Sequence, residues 1–190
     1  PHLDHAGGLA ALQQASGAQV WGSEASAVAL RSGGDDPIIP LPIRALIRVG
    51  IISYPAVRVD HQVQDGDTVR VGPLAVVAHL TPGHTRGCTS WTTRVQEGSR
   101  TLDVISACSL IMLGHIGYPG QEQDLERSIA TLRSLPVDVW VTSHARLWGR
   151  YRKFMARDSA PAPVEPFIDP AGYRAYLDSA LARVRRGEKH

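Results

Sequence analysis

The chain has 190 residues, 43% hydrophobic and 20% charged, with a formal net charge of +2; these are the proportions of an ordinary globular protein, with chain enough for a sizeable core and a soft expectation of one domain over 1–190. The cations are scattered apart from Arg183, Arg185, Arg186 and Lys189 near the end, a pattern that excludes a nucleic-acid footprint and fits a solvated helix terminus. No apolar run reaches the roughly 18 residues a membrane span needs, and no leader is visible.

Pro1-His2-Leu3-Asp4-His5 sets two histidines and an aspartate side by side, and Ala6-Gly7-Gly8 leads into an apolar run. An irregular loop there would turn neighbours such as Asp4 and His5 toward one point. Leu9, Leu12 and Ala15 predict a helix stopping at Gly17. Gln19-Val20-Trp21 predicts a short strand. Ser23 is the expected cap of a second helix, which runs through Leu30 and ends at Ser32-Gly33-Gly34. From Asp35 to Pro55 the chain is broken by Pro37, Pro40, Pro42 and Pro55, with one regular pattern from Ile43 to Ile47. It is either a lid or binding loop or a satellite packing segment.

Val57-Arg58-Val59 and Thr68-Val69-Arg70-Val71 alternate, and Leu74 to Leu80, Thr89 to Val95 and Thr101 to Ala107 follow across short turns. Such strands make an antiparallel sheet flanked by helices. His61 and His79 have no neighbouring ligand and read as structural. Cys88 and Cys108 are either a disulfide, pointing to an oxidising compartment, or two buried thiols. His115, in a glycine-rich loop, lies at the cleft or on the surface. Gln121 to Leu135 is an amphipathic helix with Leu125, Ile129 and Leu132 inward, ended by Pro136. Val137 to Val141 is a strand that delivers His144. Trp148 to Met155 reads as helical and basic, and Asp158 to Pro166 as a surface connection. A closing helix is expected over 169–187, with Asp169 as cap, Pro170 in the first position, and Tyr173, Leu177, Ala180 and Val184 on one face.

Two later histidines stand just past the ends of apolar strands, where loops assemble sites: His84 in Thr81-Pro82-Gly83-His84-Thr85, and His144 in Val139-Trp140-Val141-Thr142-Ser143-His144. Imidazole nitrogen and carboxylate oxygen suit zinc, and a catalytic zinc takes about three protein ligands and an open position. In this order, His2-Leu3-Asp4-His5-Ala6-Gly7-Gly8 followed by Pro-Gly-His84-Thr and Thr-Ser-His144 resembles the metallo-β-lactamase superfamily. The signature of that family is His-x-His-x-Asp-His with two further histidines downstream. The likeness runs from His2 to about Phe154, and the signature's first histidine would stand immediately before Pro1.

The resemblance implies an α/β protein, an αββα sandwich whose N-terminal part lies ahead of Pro1. It implies two zinc ions, one held by His2, His84 and the residue before Pro1, the other by Asp4, His5 and His144. The implied activity is hydrolysis of the β-lactam amide of penicillins, cephalosporins and carbapenems by a metal-bound hydroxide, and so antibiotic resistance. Asp4 is the expected orienter of the hydroxide, and a periplasmic monomer with no nucleic-acid or membrane partner is expected. At Ser106-Ala107-Cys108-Ser109-Leu110 there is no carboxylate, whereas the glyoxalase and lactonase branches carry an aspartate there. β-Lactamases place Cys or Ser at this point, and Asp4 followed by His5 rather than Arg is similar to the third subclass, B3. In that register Ser109 takes the serine position and holds a water or a substrate group, and Cys108 pairs with Cys88. Ile111 then stands where the subclass commonly carries Ser or Thr for the substrate carboxylate. The alternatives are another hydrolase of the fold, of lactonase or thioesterase type, or a non-enzymatic homologue if the residue before Pro1 is not histidine.

Overall fold

A computed structural model describes residues 1–114 and 117–188; His115 and Lys189, named above, lie outside them. The N-terminal segment is not the irregular loop expected. The His2 carbonyl accepts from Ala6 N–H at 2.8 Å and the Leu3 carbonyl from Gly7 N–H at 2.8 Å, which winds Leu3–Ala6 into a single helical turn, α1. Helix α2 (Leu9–Ser16) follows and stops at Gly17. The next strand, β1 (Trp21–Ser23), begins two residues later than expected. Its position is set by pairing in parallel with β2 (His61–Val63), Trp21 opposite His61. Ser23 caps α3 (Glu24–Arg31), its hydroxyl accepting from Ser26 N–H.

The proline-broken stretch holds a helix, α4 (Leu41–Arg48), with Pro42 in its first turn, where a missing N–H leaves no bond unmade. Val57-Arg58-Val59 alternates in burial but joins no ladder. Val57 and Val59 are 1% and 5% exposed, while Val57 N–H donates to Leu30 O and the Arg31 guanidinium donates to Val59 O. Alternation reported which side chains point inward, and extended backbone tied to a helix end produces the same signature as a strand.

The main sheet holds β3 (Thr68–Val71), β4 (Leu74–Leu80), β5 (Thr89–Glu97), β6 (Arg100–Ala107) and β7 (Val139–Thr142), in that order. The first four are antiparallel neighbours, with Trp91 opposite Ser106, and β7 joins β6 in parallel, Ile105 opposite Trp140. The crossover between β6 and β7 carries α5 (Gln121–Ser134). After β7 come α6 (Arg150–Ala156), two short 3-10 turns (Arg157–Ser159 and Glu165–Phe167), and α7 (Pro170–Arg185). Helix α6 begins at Arg150 rather than at Trp148 because Gly149 takes a left-handed conformation, φ 68°, which interrupts a right-handed helix.

Two apolar clusters hold the layers. Leu125, Ile129 and Leu132 of α5 and Tyr173, Leu177, Ala180 and Val184 of α7 pack on Ile105 and Trp140 of the main sheet. Ala27 and Leu30 of α3 meet Ala6, Val20 and Tyr54 on the other side of the molecule. The two sheets face each other across a cavity bounded by Trp21 and Gly22 on one side and Trp91 and Ser106 on the other. Helices, sheet, sheet, helices is the αββα order, and the site lies on the rim where the strands of both sheets end.

Candidate metal centre

Five side chains from three parts of the chain meet at that rim. α1 carries Asp4 and His5 on consecutive positions, and the Asp4 carboxylate lies 3.2 Å from His5 Nε2. The turn after β7 brings His144 to them, its ring 5.0 Å from the ring of His5. One ligand atom from each of Asp4, His5 and His144 falls within 4.8 Å of the others, and all three residues are exposed. The His144 loop is closed by its own backbone: His144 O accepts from Leu147 N–H and Ala145 O from Arg150 N–H.

Beside this group stands a more buried pair. His84 Nε2 lies 3.2 Å from His2 Nδ1, with the rings edge to face at 4.8 Å. The other nitrogen of His84 is 2.6 Å from the carbonyl of Ile111. A carbonyl can only accept, so Nδ1 carries the proton and Nε2 offers a lone pair into the cleft. Burial, and then the facing His84, bring the His2 imidazole down to about 4, and burial lowers His84 as well, partly opposed by the Ile111 carbonyl. Both rings are therefore neutral near pH 7, the form that binds metal.

These residues fit metal ions. Two imidazole nitrogens each roughly 2.0–2.1 Å from a tetrahedral zinc stand about 3.3 Å apart, close to the 3.2 Å between His2 and His84. The hydrogen bond that fixes the tautomer of His84 is the outer support such ligands take. His2 and His84 thus form one donor group, and Asp4, His5 and His144 a second beside it.

The model of the metallo-beta-lactamase superfamily matches residues 1–144, a span containing every one of these donors. The chain belongs to the metallo-β-lactamase superfamily. Among solved structures, the chain is similar to Rm3 metallo-β-lactamase, with 34% identity and a TM-score of 0.86 over 98% of this chain and 70% of that one. A metallo-β-lactamase from Cronobacter sakazakii (Enterobacter sakazakii) is 32% identical, with a TM-score of 0.83 over 98% and 71%. BJP-1, a subclass B3 metallo-β-lactamase of Bradyrhizobium japonicum, is 29% identical, with a TM-score of 0.80 over 95% and 67%. The B3 likeness suggested by Asp4-His5 and Ser109 thus has a B3 enzyme among the matching folds, and membership of a metallo-family implies a bound metal.

The remaining residues singled out in the sequence fall as follows. Cys88 and Cys108 are joined, their Cα atoms 5.8 Å apart. Ser109 is 2% exposed and its hydroxyl accepts from Ile111 N–H at 3.3 Å; it lines the inner cavity of about 340 Å³ with His2, His5 and His84. Ile111 lines the outer cleft, about 520 Å³, with Asp4 and His144. His61 stacks on Trp21 at 4.1 Å and His79 bonds Thr92 at 2.8 Å, and neither joins the metal group.

Three features escaped sequence reading. The Ile111 carbonyl acts through the main chain, which leaves no trace in residue identity. Tyr54, whose hydroxyl donates toward Pro1 O at 2.7 Å, ties the start of the chain to the end of the proline-broken stretch, and burial pushes its phenol up to about 12. Ile39, Ile43, Ile47 and Ile52 form an aliphatic wall of the outer cleft. Only the last had a signal, the helical spacing of Ile43 and Ile47, which was compatible with either a lid or a packing segment.

Proposed function

We propose that this protein hydrolyses the amide bond of β-lactams with two zinc ions, His2 and His84 among the ligands of one and Asp4, His5 and His144 holding the other, and that it confers resistance to such antibiotics. The observation that carries this is the meeting of Asp4, His5 and His144 within 4.8 Å beside the facing His2 and His84. Zinc bound there would lower the pKa of a coordinated water to near 7 and polarise a carbonyl.

The protein's own contribution is placement. Ile111 O holds His84 in one tautomer. The Asp4 carboxylate, able only to accept, orients the attacking water by taking a hydrogen bond from it. Ser109 bonds Ile111 N–H and so fixes the loop whose carbonyl supports His84 and whose side chain meets the substrate. The isoleucine wall keeps bulk water from the reacting bond. The disulfide fits an oxidising compartment, and on that ground we assign the protein to the periplasm.

One observation favours a second reading, hydrolysis of a neutral lactone or thioester. Among the described residues lining the outer cleft there is no lysine or arginine for a carboxylate, and Ile111 offers no hydroxyl. Turnover of a penicillin, a cephalosporin, a carbapenem, a lactone and a thioester, each with and without chelator, separates the two. β-Lactam turnover lost on chelation, restored by zinc and abolished by Asp4→Ala is expected. Undiminished turnover by a zinc-loaded Asp4→Ala protein would refute the role of Asp4, and preference for the ester would favour the second reading.

A further inference from the structure

From Arg146 to Arg157 the sequence runs Arg-Leu-Trp-Gly-Arg-Tyr-Arg-Lys-Phe-Met-Ala-Arg, five cations and no acid, and the hydrolytic reading uses only its backbone, at Leu147 and Arg150. In α6 each residue turns about 100° from the last. Lys153 points inward and is 2% exposed. Tyr151 and Met155, two positions to either side, therefore point straight out, at 79% and 65% exposure, with Phe154 beside them at 46%. Arg150 and Arg152, both exposed, flank this apolar ridge, and the Arg150 guanidinium sits 5.8 Å over the Phe154 ring. Arg146, Arg150 and Arg152 have no acidic partner among the described residues. The acids nearby are already paired: Asp158 with Arg157 at 3.0 Å, Glu165 with Arg100 at 2.8 Å, Asp169 with Lys153 at 2.9 Å.

We propose that this face docks on the surface of an anionic phospholipid bilayer. Guanidinium groups meet headgroup phosphates while Tyr151 and Met155 enter the boundary with the acyl chains, the division of labour of an interfacial helix. Charge decides the occupant. A second copy of the chain would present the same arginines across a two-fold axis and repel, whereas an anionic leaflet supplies phosphates that move laterally to meet each one. The contact is peripheral, since no helix among the described residues is long and apolar enough to cross a membrane. Because α6 follows the His144 loop directly, docking would hold the cleft beside the bilayer.

The test is sedimentation of the protein with vesicles of equal parts phosphatidylglycerol and phosphatidylcholine, against vesicles of phosphatidylcholine alone. Binding only to the mixed vesicles, released by high salt, is expected. Each arginine near an anionic surface contributes roughly five-fold in partitioning, so Arg146→Gln/Arg150→Gln/Arg152→Gln should weaken it about 100-fold. Tyr151→Ser/Met155→Ser should weaken it ~10-fold with the salt dependence kept, and this second variant serves if the triple one loses its thermal midpoint. Equal sedimentation with both vesicle types, or unchanged binding by both variants, overturns the proposal. Absence of vesicle binding together with a concentration-dependent dimer abolished by Tyr151→Ser would assign the face to a second copy instead.

Discussion

Replacing Lys153 by methionine tests whether one buried ion pair holds the last elements of the fold together behind the site. The Lys153 ammonium is 2.9 Å from Asp169 Oδ2 and 5.2 Å from the centre of the Trp140 ring, in a side chain 2% exposed. It joins α6 to the cap of α7, and Asp169 is in turn bound to the start of β7 through its N–H to Asp138 O at 2.9 Å. Methionine keeps the bulk of the stem, so the loss is electrostatic. Breaking a fully buried pair costs about 3–5 kcal/mol. The Asp169 side chain is 26% exposed and its Oδ1 keeps the Gly172 N–H, so water and the cap recover part of this, and Lys153→Met should cost about 2 kcal/mol. Asp169→Asn retains a good cap but strands a buried ammonium, and should cost about 3 kcal/mol. The double variant should then be no worse than the second single, a coupling of about 2 kcal/mol. Urea unfolding at constant m-value measures all three. A loss below about 0.5 kcal/mol for Lys153→Met, or strictly additive singles, would show that the pair does not hold these elements.

The same aspartate makes a pH prediction. Burial alone would raise the Asp169 carboxyl, but the Lys153 ammonium and the Gly172 N–H outweigh it and hold it below the usual carboxylate range. Its contribution is therefore fully present above about pH 4 and is lost as pH falls through the lower folded value, so unfolding midpoints of the native protein should drop more steeply below about pH 4 than those of Asp169→Asn. The disulfide closes a sequence separation of 20 residues, for which loop-closure entropy gives about 3 kcal/mol; paired Cys88→Ser/Cys108→Ser should lose roughly that in urea, and an unchanged midpoint under reductant would contradict it. At Gly83, φ is 148° and an added Cβ would lie 2.4 Å from Leu125. Gly83→Ala should thus push the His84 turn off α5, costing about 2–3 kcal/mol and weakening zinc binding in competition with a chromogenic chelator.

Where the sequence was legible, one physical constraint dominated locally. The hairpin of β5 and β6, the amphipathic α5 and the capped α7 each follow from a period and a terminator, and packing did not override them. Legibility failed where backbone pairing was decided at a distance. Val57 and Val59 alternate because the core under α3 needs them inward, yet their backbone groups bond to Leu30 O and to the Arg31 side chain instead of to a strand. β1 lies where His61 and Val63 can pair with it, a partner some forty residues away that no local window contains. The helix α4 was obscured because its prolines fall at and before its first turn, where they are tolerated, though they read as breakers.

The site shows the same division in sharper form. Each of the five candidate ligands that converge has a side chain whose identity announces its chemistry, so His2, Asp4, His5, His84 and His144 could be named as candidates from the sequence. What holds them is mostly backbone, and backbone is silent in a sequence. Asp4 and His5 were expected on an irregular loop because neighbours on a regular helix diverge by about 100°. The structure meets that objection differently: α1 is one turn long, and His144 arrives from outside to stand within reach of both. Convergence thus needs no irregular loop: the Asp4 carboxylate and His5 Nε2 already stand 3.2 Å apart, and the third partner's loop completes the group. A substitution that loosens the β7–α6 turn, and with it His144 alone, should consequently disperse the exposed group while leaving the His2 and His84 pair intact, because His84 is held by the Ile111 carbonyl and His2 by the first turn of the chain. Zinc titration of Gly149→Val, which forces a branched side chain into a φ of 68°, should show one site weakened and one retained; simultaneous loss of both would mean that the two donor groups form a single cooperative unit.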